Sequence, residues 1–289
     1  MKVALIGADG QLGSDVQKVF LEESVVPLTI SDLDITDKKK VFGVLSDIRP
    51  DVIINTAAFH QVDVCEDEPS KAFSVNCLAV GNVARASAEL RSVFVHISTD
   101  YVFGADTKRN TPYTEDDKEG PLSVYGISKL AGEKMAMAYA EKFFVVRTSG
   151  LFGTAGSVSR GGNFVETMIR LGKEKKTLRV VDDQVVSPTY TLNLAQALLK
   201  LVRTQKYGLY HAVSEGECSW YEFAKEIFKL TGISVNCVPC TSEEYPTKAK
   251  RPHYSSLGNA KLKLSGISVM KPWKMNVKNY LIEKKHISI

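Results

Sequence analysis

The chain has 289 residues, 44% hydrophobic and 24% charged, and its 37 basic and 33 acidic side chains leave a net charge of +4. A chain of that length buries about three quarters of its unfolded surface, enough for one large domain or two closely joined ones without a disulfide scaffold. The near balance of charge offers no concentrated cationic face to a phosphate backbone, and no window approaches the ~20 apolar residues of a membrane span, so neither nucleic acid nor membrane is an expected partner.

The opening MKVALIGADG has one Lys and few apolar residues before Gly7, far short of a secretory segment. Five cysteines, an odd count, then fit free thiols in a reducing cytoplasm, the expected localisation. From this end, KVALI reads as a buried strand that runs into GADGQLG, where Gly7, Gly10 and Gly13 form G-x-x-G-x-x-G ahead of the helical stretch LGSDVQKVFLEE. In strand-turn-helix order this spacing marks a dinucleotide site. Gly7 permits the turn, Gly10 lets backbone approach a pyrophosphate, and Gly13 lets helix meet strand, while the helix amino end presents N–H groups to the anion.

VPLTI reads as the second strand, and SDLDITD after it places Asp32 and Asp34 on the adenosine side. A carboxylate there accepts from ribose hydroxyls and repels a 2′-phosphate; with no Arg after Gly7 or the strand, NADH is expected to be tolerated beside NADPH. Asp34 with Thr36 also reads as the cap of the next helix, TDKKKVFGVLSDI, whose Lys38, Lys39 and Lys40 form a solvated start. DVIIN, SVFVHI and FFVVR follow as strands, separated by the helical stretches PSKAFSVNCLAVGNVARASAEL and SVYGISKLAGEKMAMAYA. Parallel neighbours require crossovers covering both faces, so the expected fold is α/β, a Rossmann-type doubly wound parallel sheet.

Past residue 150 the alternation weakens. GTAGSVSRGGNF reads as a loop; VETMIRLGKE, TLNLAQALLKLVRT and SWYEFAKEIFKL read as helices, the last with Trp220, Phe223, Ala224, Ile227 and Phe228 on one face. The expected organisation is a dinucleotide-binding domain over 1–149, completed by part of 183–213, and a smaller mixed substrate-binding region over 150–289 on the C-terminal side.

Three Tyr-x-x-x-Lys pairs occur: Tyr125/Lys129, Tyr221/Lys225 and Tyr280/Lys284. Residues four apart share a helix face, so the ammonium favours the tyrosinate and suits the phenol to acid/base work. Only the first pair lies in the region with the glycine turn, about 26 residues after HISTDYVFG, whose hydroxyl residues end a parallel strand beside the ligand crevice. The other two flank apolar faces and read as amphipathic cover.

With GADGQLG, RPDVIINTAAF, STDYVFG, VYGISKLAGE, DDQVVSPTY and RPHYSSLGNAKL, the chain resembles the extended short-chain dehydrogenase/reductases, and within them the dTDP-4-dehydrorhamnose reductase family, over nearly its whole length. The resemblance implies NAD(P)H-dependent reduction of the 4-keto group of a dTDP-linked 6-deoxyhexose, in a monomer or homodimer without metal. By matching position, Thr99 polarises the keto oxygen, Tyr125 donates the proton, and Lys129 tunes Tyr125 and binds the nicotinamide ribose. Gly10, Gln11 and Leu12 would hold the pyrophosphate, Asp34 and Ile35 the adenine side, and Ala57, Ala58 and Phe59 the ribose and linker. Asp100 and Tyr101 would face the sugar, and Ser98, one residue back on the strand, would point away from Thr99.

The chain departs from the family pattern at Gly150, where the family usually has a Trp that packs on the sugar, and at Val186, where it tends to have Gly. Leu192 stands where metal-linked dimeric members carry an acidic residue. Another nucleotide-linked ketosugar is therefore an alternative substrate. A dehydratase would carry Asp-Glu where Asp100-Tyr101 stands, and a non-catalytic regulatory subunit, such as the related beta subunit of methionine adenosyltransferase, would not need Thr99, Tyr125 and Lys129. Arg251 reads either as an anion contact for substrate or as half of a structural salt bridge. Cys237 and Cys240, a lone C-x-x-C, read as ordinary small side chains, and His60, His96 and His211 as structural.

Overall fold

Strands that are apolar on both sides demand cover on both faces, and the chain is layered accordingly. The computed structural model describes residues 1–155 and 162–288; of the loop expected at 153–164, residues 156–161 lie outside the described residues. Strands β1 (Lys2–Ile6), β2 (Ser24–Leu28), β3 (Val52–Asn55), β4 (Val93–Thr99) and β5 (Phe143–Thr148) lie parallel in the order β5-β4-β3-β1-β2. The order reverses beside β1, so the carboxyl ends of β1 and β3 open the crevice in which doubly wound sheets bind ligands.

The crossovers are α1 (Gln11–Val19), α2 (Lys38–Ile48), α3 (Val62–Asp67), α4 (Pro69–Phe73), α5 (Ala79–Glu89) and α6 (Val124–Tyr139). In the second half come β6 (Leu151–Phe152), α7 (Phe164–Glu174), β7 (Thr177–Val181), β8 (Val185–Val186), β9 (Thr189–Tyr190), α8 (Thr191–Val202) and β10 (Gly208–His211). β10 pairs in parallel with β5 and makes the central sheet six-stranded. Strand residues alternate between two cores: Val3 and Leu5 pack with Leu12 and Val16 of α1 and Leu194 and Leu198 of α8, whereas Ala4 and Ile6 pack with Val41 and Leu45 of α2 and Val80 and Val83 of α5.

A third core joins α7 to β11 (Cys218–Ser219), α9 (Trp220–Thr231), β12 (Asn236–Cys240) and, after the short α10 (Ala260–Leu264), α11 (Trp273–Glu283). Here β12 pairs in parallel with β7, β11 antiparallel with β8, and β6 in parallel with β9. Phe223, Ala224, Ile227 and Phe228 of α9 are buried, while Trp220 is half-buried at the start of the helix.

Two elements differ from the sequence reading. The second strand ends at Leu28 because Thr29 donates its N–H and hydroxyl to Asp32, at 2.9 and 2.7 Å, turning the chain and leaving Ile30 exposed. Pro27 is tolerated because β2 is an edge strand. The long helix expected over 69–90 is interrupted by a π-helical turn at Ser74–Leu78, which turns Asn76 inward.

Candidate active site

Gly7 turns out of β1 with φ +79°. A Cβ on Gly7 would lie 2.6 Å from Thr56 Oγ1, and one on Gly13 would lie 2.3 Å from the Gly7 carbonyl oxygen. Only glycine lets β1, α1 and the segment after β3 meet this closely. Gly10 caps α1 with extended backbone and no side-chain acceptor, so the N–H groups of Gln11, Leu12 and Gly13 are left for an acceptor from outside the helix. The side chain of Gln11 is otherwise engaged: its Oε1 accepts from the Gly153 N–H at 2.9 Å and from Asn163 Nδ2 at 3.2 Å, tying the turn to the second half.

On the adenosine side, Asp34 Oδ1 accepts from the Thr36 N–H at 2.9 Å and its hydroxyl at 2.8 Å, and these bonds hold the carboxyl below its usual range. The helix cap expected of Asp34 belongs instead to Asp37, which accepts from the Lys40 N–H at 3.0 Å. Ile35 is core, 3% exposed, so only its backbone can face a cofactor. Beyond β3, the Phe59 N–H donates to Asn76 Oδ1 at 2.8 Å, and Asn76 Nδ2 donates to the Phe59 carbonyl at 3.0 Å and to Ser128 Oγ at 3.1 Å. Asn76 thereby locks the segment Ala57-Ala58-Phe59 to α6 between Tyr125 and Lys129.

Helix α6 starts at Ser123, whose hydroxyl accepts from the Gly126 N–H at 3.2 Å, while Glu66 of α3 accepts from the Val124 N–H at 2.8 Å. Gly126 and Gly132 let the helix touch its neighbours: added Cβ atoms would lie 2.3 Å from the Tyr101 carbonyl oxygen and 2.1 Å from that of Asn76. The close seat brings three groups to the carboxyl end of β4. Lys129 Nζ donates to the carbonyl of Ile97, two residues before Thr99, at 2.7 Å. The Tyr125 ring meets, edge to face at 5.6 Å, that of Tyr101, two residues after Thr99. Burial lowers the Lys129 ammonium from 10.5 to about 8 against the opposing pull of Glu133, so it remains mostly charged at neutral pH.

Thr99 Oγ1 accepts from the Tyr101 N–H at 3.2 Å and donates to Asp100 Oδ1 at 3.1 Å. Asp100, expected to face the sugar, is instead 3% exposed, and its Oδ2 accepts from Ser149 at 2.9 Å and Ser255 at 2.6 Å. Burial raises its pKa from 3.8 to about 6 while the three hydroxyls pull it down, leaving an acceptor at neutral pH that braces Thr99 against both halves of the chain. Ser98 points away from Thr99, to Glu133 Oε1 at 2.5 Å. Glu133 in turn takes Arg147 in a bidentate pair, at 2.8 and 2.7 Å, with both side chains fully buried. This pair fixes the height of α6 over β5. Buried pairs of this kind are better attested as registry devices than as sources of stability.

The other two Tyr/Lys pairs lie elsewhere. Lys225 covers the Tyr221 ring at 5.3 Å. Tyr280 is not the surface cover expected: it is fully buried, with its hydroxyl donating to Glu166 at 2.5 Å and accepting from Asn163 Nδ2 at 3.1 Å.

With this geometry, the family model described as RmlD substrate binding domain matches residues 1–286. The chain belongs to that family, the dTDP-4-dehydrorhamnose reductases. It is 39% identical over 98% of both chains to the spore coat polysaccharide biosynthesis protein SpsK of Bacillus subtilis. It is 38% identical to the dTDP-4-dehydrorhamnose reductase of Aggregatibacter actinomycetemcomitans, covering 96% of this chain and 97% of that one. The crystal structure of the Bacillus anthracis dTDP-4-dehydrorhamnose reductase in complex with NADP superposes with a TM-score of 0.92 at 41% identity, covering 98% of this chain and 99% of that one.

In this member of the family, Arg251 Nη2 binds Asp63 Oδ2 at 2.8 Å. Burial opposes the guanidinium's charge, but Tyr101 and Asp63 outweigh it and raise the pKa, which places Arg251 beside the Tyr101–Tyr125 contact. Leu192 is half-buried in the third core, and among the described residues no three His, Cys, Asp or Glu side chains gather as a metal site. Neither is any described helix long and apolar enough to cross a membrane. Cys237 and Cys240 are free thiols three apart on β12, so they point to opposite faces of the strand, and burial raises the pKa of each. Replacing both with Ser is expected to leave turnover near wild type in a steady-state assay; loss of turnover in a folded double variant would contradict this.

Sequence reasoning did not find Asn76, Glu133, Arg147, Ser149 or Ser255. Glu133 and Ser255 lie within VYGISKLAGE and RPHYSSLGNAKL, but which groups they bond, like the bonds of Asn76, Arg147 and Ser149, is set by tertiary neighbours.

Proposed function

We propose that this chain reduces the 4-keto group of a dTDP-linked 6-deoxyhexose, converting dTDP-4-dehydro-L-rhamnose to dTDP-L-rhamnose, with NADPH or NADH as cofactor. The observation that carries the reading is the convergence of Thr99, Tyr125 and Lys129 at the end of β4, beside a glycine turn built for a dinucleotide. The uncapped amino end of α1 fits a pyrophosphate, with Gly10, Gln11 and Leu12 contributing backbone N–H groups. Asp34, the backbone of Ile35, and Ala57, Ala58 and Phe59 would flank the rest of the cofactor. When bound, the reduced nicotinamide supplies the hydride that goes to C4 of the sugar.

The chain's own residues handle the oxygen. Thr99 Oγ1, held by the Tyr101 N–H, turns its one proton from Asp100 to the keto oxygen when the sugar binds and so polarises it, and Tyr125 gives its phenolic proton to that oxygen as negative charge develops there. The Lys129 ammonium, anchored on the Ile97 carbonyl, stabilises the phenolate left behind and has further N–H donors for the nicotinamide ribose. Asp100, buried with both oxygens bonded within the chain, acts through Thr99. Asp100→Asn puts an NH2 group where hydroxyls now donate. It is expected to lower kcat by about tenfold, the worth of one misdirected buried hydrogen bond, with cofactor affinity unchanged by titration.

Loss of reduced nicotinamide absorbance on adding dTDP-4-dehydro-L-rhamnose tests the function. A dehydratase returns its hydride and a binding subunit consumes none, so a flat trace with a folded protein would sink the proposal. Running the same assay with the 4-keto-6-deoxy-D-glucose nucleotide distinguishes the alternative sugar, a relevant comparison because a 36% identical relative in Streptomyces niveus is a dTDP-4-keto-6-deoxy-D-glucose reductase.

A further inference from the structure

The residue after Ser149 is Gly150, with φ +52°, a backbone few L side chains adopt. Ser149 donates to Asp100, which in turn accepts from Thr99, so Gly150 lies three links along one bonded path from the hydroxyl placed on the keto oxygen. Beside Gly150 stands an aromatic ring from a distant part of the chain: Trp220 Cη2 is 3.5 Å from where a Gly150 Cβ would lie, and Pro188 Cα is 3.2 Å from the same point. We propose that Trp220 is a specificity-determining residue whose indole forms the apolar wall against which the hexose ring and its C5 methyl rest. The assignment deepens the reductase reading above and depends on it.

Three features suit Trp220 to this role. It is half-buried, the only one of the chain's two tryptophans with open surface, since Trp273 is 6% exposed within the third core. Its inner edge packs on Phe164, 4.7 Å between centroids, and lies near Phe223 at 6.3 Å, so part of the ring is committed to protein and part is not. Its helix is rigid: Ser219 and Glu222 form a reciprocal capping box, Ser219 Oγ donates to Asp182 at 2.5 Å, and Phe223, Ala224 and Ile227 anchor α9 in the core. A ring fixed in this way loses little freedom when a ligand covers it. Sugar sites pair such an apolar face with a few polar groups that fix orientation, here the hydroxyls of Thr99 and Tyr125. A 6-deoxyhexose offers the indole a methyl group and ring C–H bonds, whereas a 6-hydroxyl would be stripped of water against it without a partner.

Trp220→Leu removes the flat face but keeps an apolar side chain. It is expected to raise the KM for the dTDP-linked ketosugar about tenfold, the factor supplied by covering roughly 60 Å² of apolar surface, while NADPH affinity measured by calorimetry stays unchanged. Trp220→Phe should bring KM back to within about threefold of wild type, which a purely structural role for the indole would not require. A second measurement does not depend on these variants folding: in Trp273→Phe, Trp220 is the sole tryptophan, and dTDP-L-rhamnose should quench its fluorescence more than dTDP does. Turnover by wild type with KM unmoved in Trp220→Leu, or equal quenching by dTDP and dTDP-L-rhamnose, overturns the assignment alone. Absence of turnover by the wild type overturns the reductase reading and this assignment with it.

Discussion

Tyr125→Phe is expected to lower kcat by about 10³-fold while leaving cofactor affinity within a small factor of wild type. A positioned proton donor contributes roughly 10²–10⁴-fold, and the substitution removes the hydroxyl while keeping the ring. The edge-to-face contact with Tyr101, centroids 5.6 Å apart, needs only the ring, and the seat of α6 depends on Ser123, Gly126 and Gly132, none of which the change touches. The segment at Phe59 stays locked through Asn76 and Ser128. Calorimetric titration with NADPH should therefore give a near-native Kd while the absorbance trace falls almost flat. Full activity in this variant would remove Tyr125 from the chemistry and leave Thr99, already hydrogen-bonded to Asp100, as the remaining hydroxyl of the cluster.

That such a variant can be designed from coordinates reflects how unevenly the site is written in the sequence. The glycine turn is legible because its constraint is local: Gly7, Gly10 and Gly13 need no distant partner to declare a strand running into a helix, and the structure ends β1 just before Gly7 and starts α1 just after Gly10, with Gly13 in its first turn. The parallel order was legible for the same reason, since short β-branched apolar runs and period-3.6 stretches alternate through residue 148. The brace around Thr99 was not. Asp100 reads as a sugar contact when taken with Tyr101, and only folding reveals that Ser149, just past the end of β5, and Ser255, 155 residues away, both donate to it. Ser98, Glu133 and Arg147 are likewise scattered over three elements and unite only when α6 lies on the sheet. The π-helical turn at Ser74–Leu78 left no periodic signature, because the apolar spacing of 69–90 is compatible with one unbroken helix. Tyr280 shows the opposite error: its spacing to Lys284 suggested surface cover, while its burial depends on Glu166 and Asn163, more than a hundred residues earlier.

Lys129→Met is expected to abolish measurable turnover and, at pH 7, to make the protein more stable by about 2 kcal/mol. The ammonium is 2% exposed, and its pKa falls from 10.5 to about 8 chiefly because burial removes it from water. A depression of that size corresponds to about 3 kcal/mol of destabilisation carried by the charged form, of which about 1 kcal/mol is set against the hydrogen bond to Ile97 that Met cannot make. Because the folded value lies below the unfolded one, this cost is present in full below pH 8, shrinks as pH rises from about 8 towards 10.5, and is absent above. Urea unfolding of the two proteins should show the variant's advantage at pH 7 and its disappearance near pH 10; an equal difference at both values would mean that Lys129 is not held as a strained charge. The same depression predicts that wild-type cofactor affinity weakens as pH rises through about 8, since the ribose contact needs the ammonium. A fold that keeps a buried cation at a stability cost, when Met would fill the space, retains it for the phenolate that only a charge beside Tyr125 can stabilise.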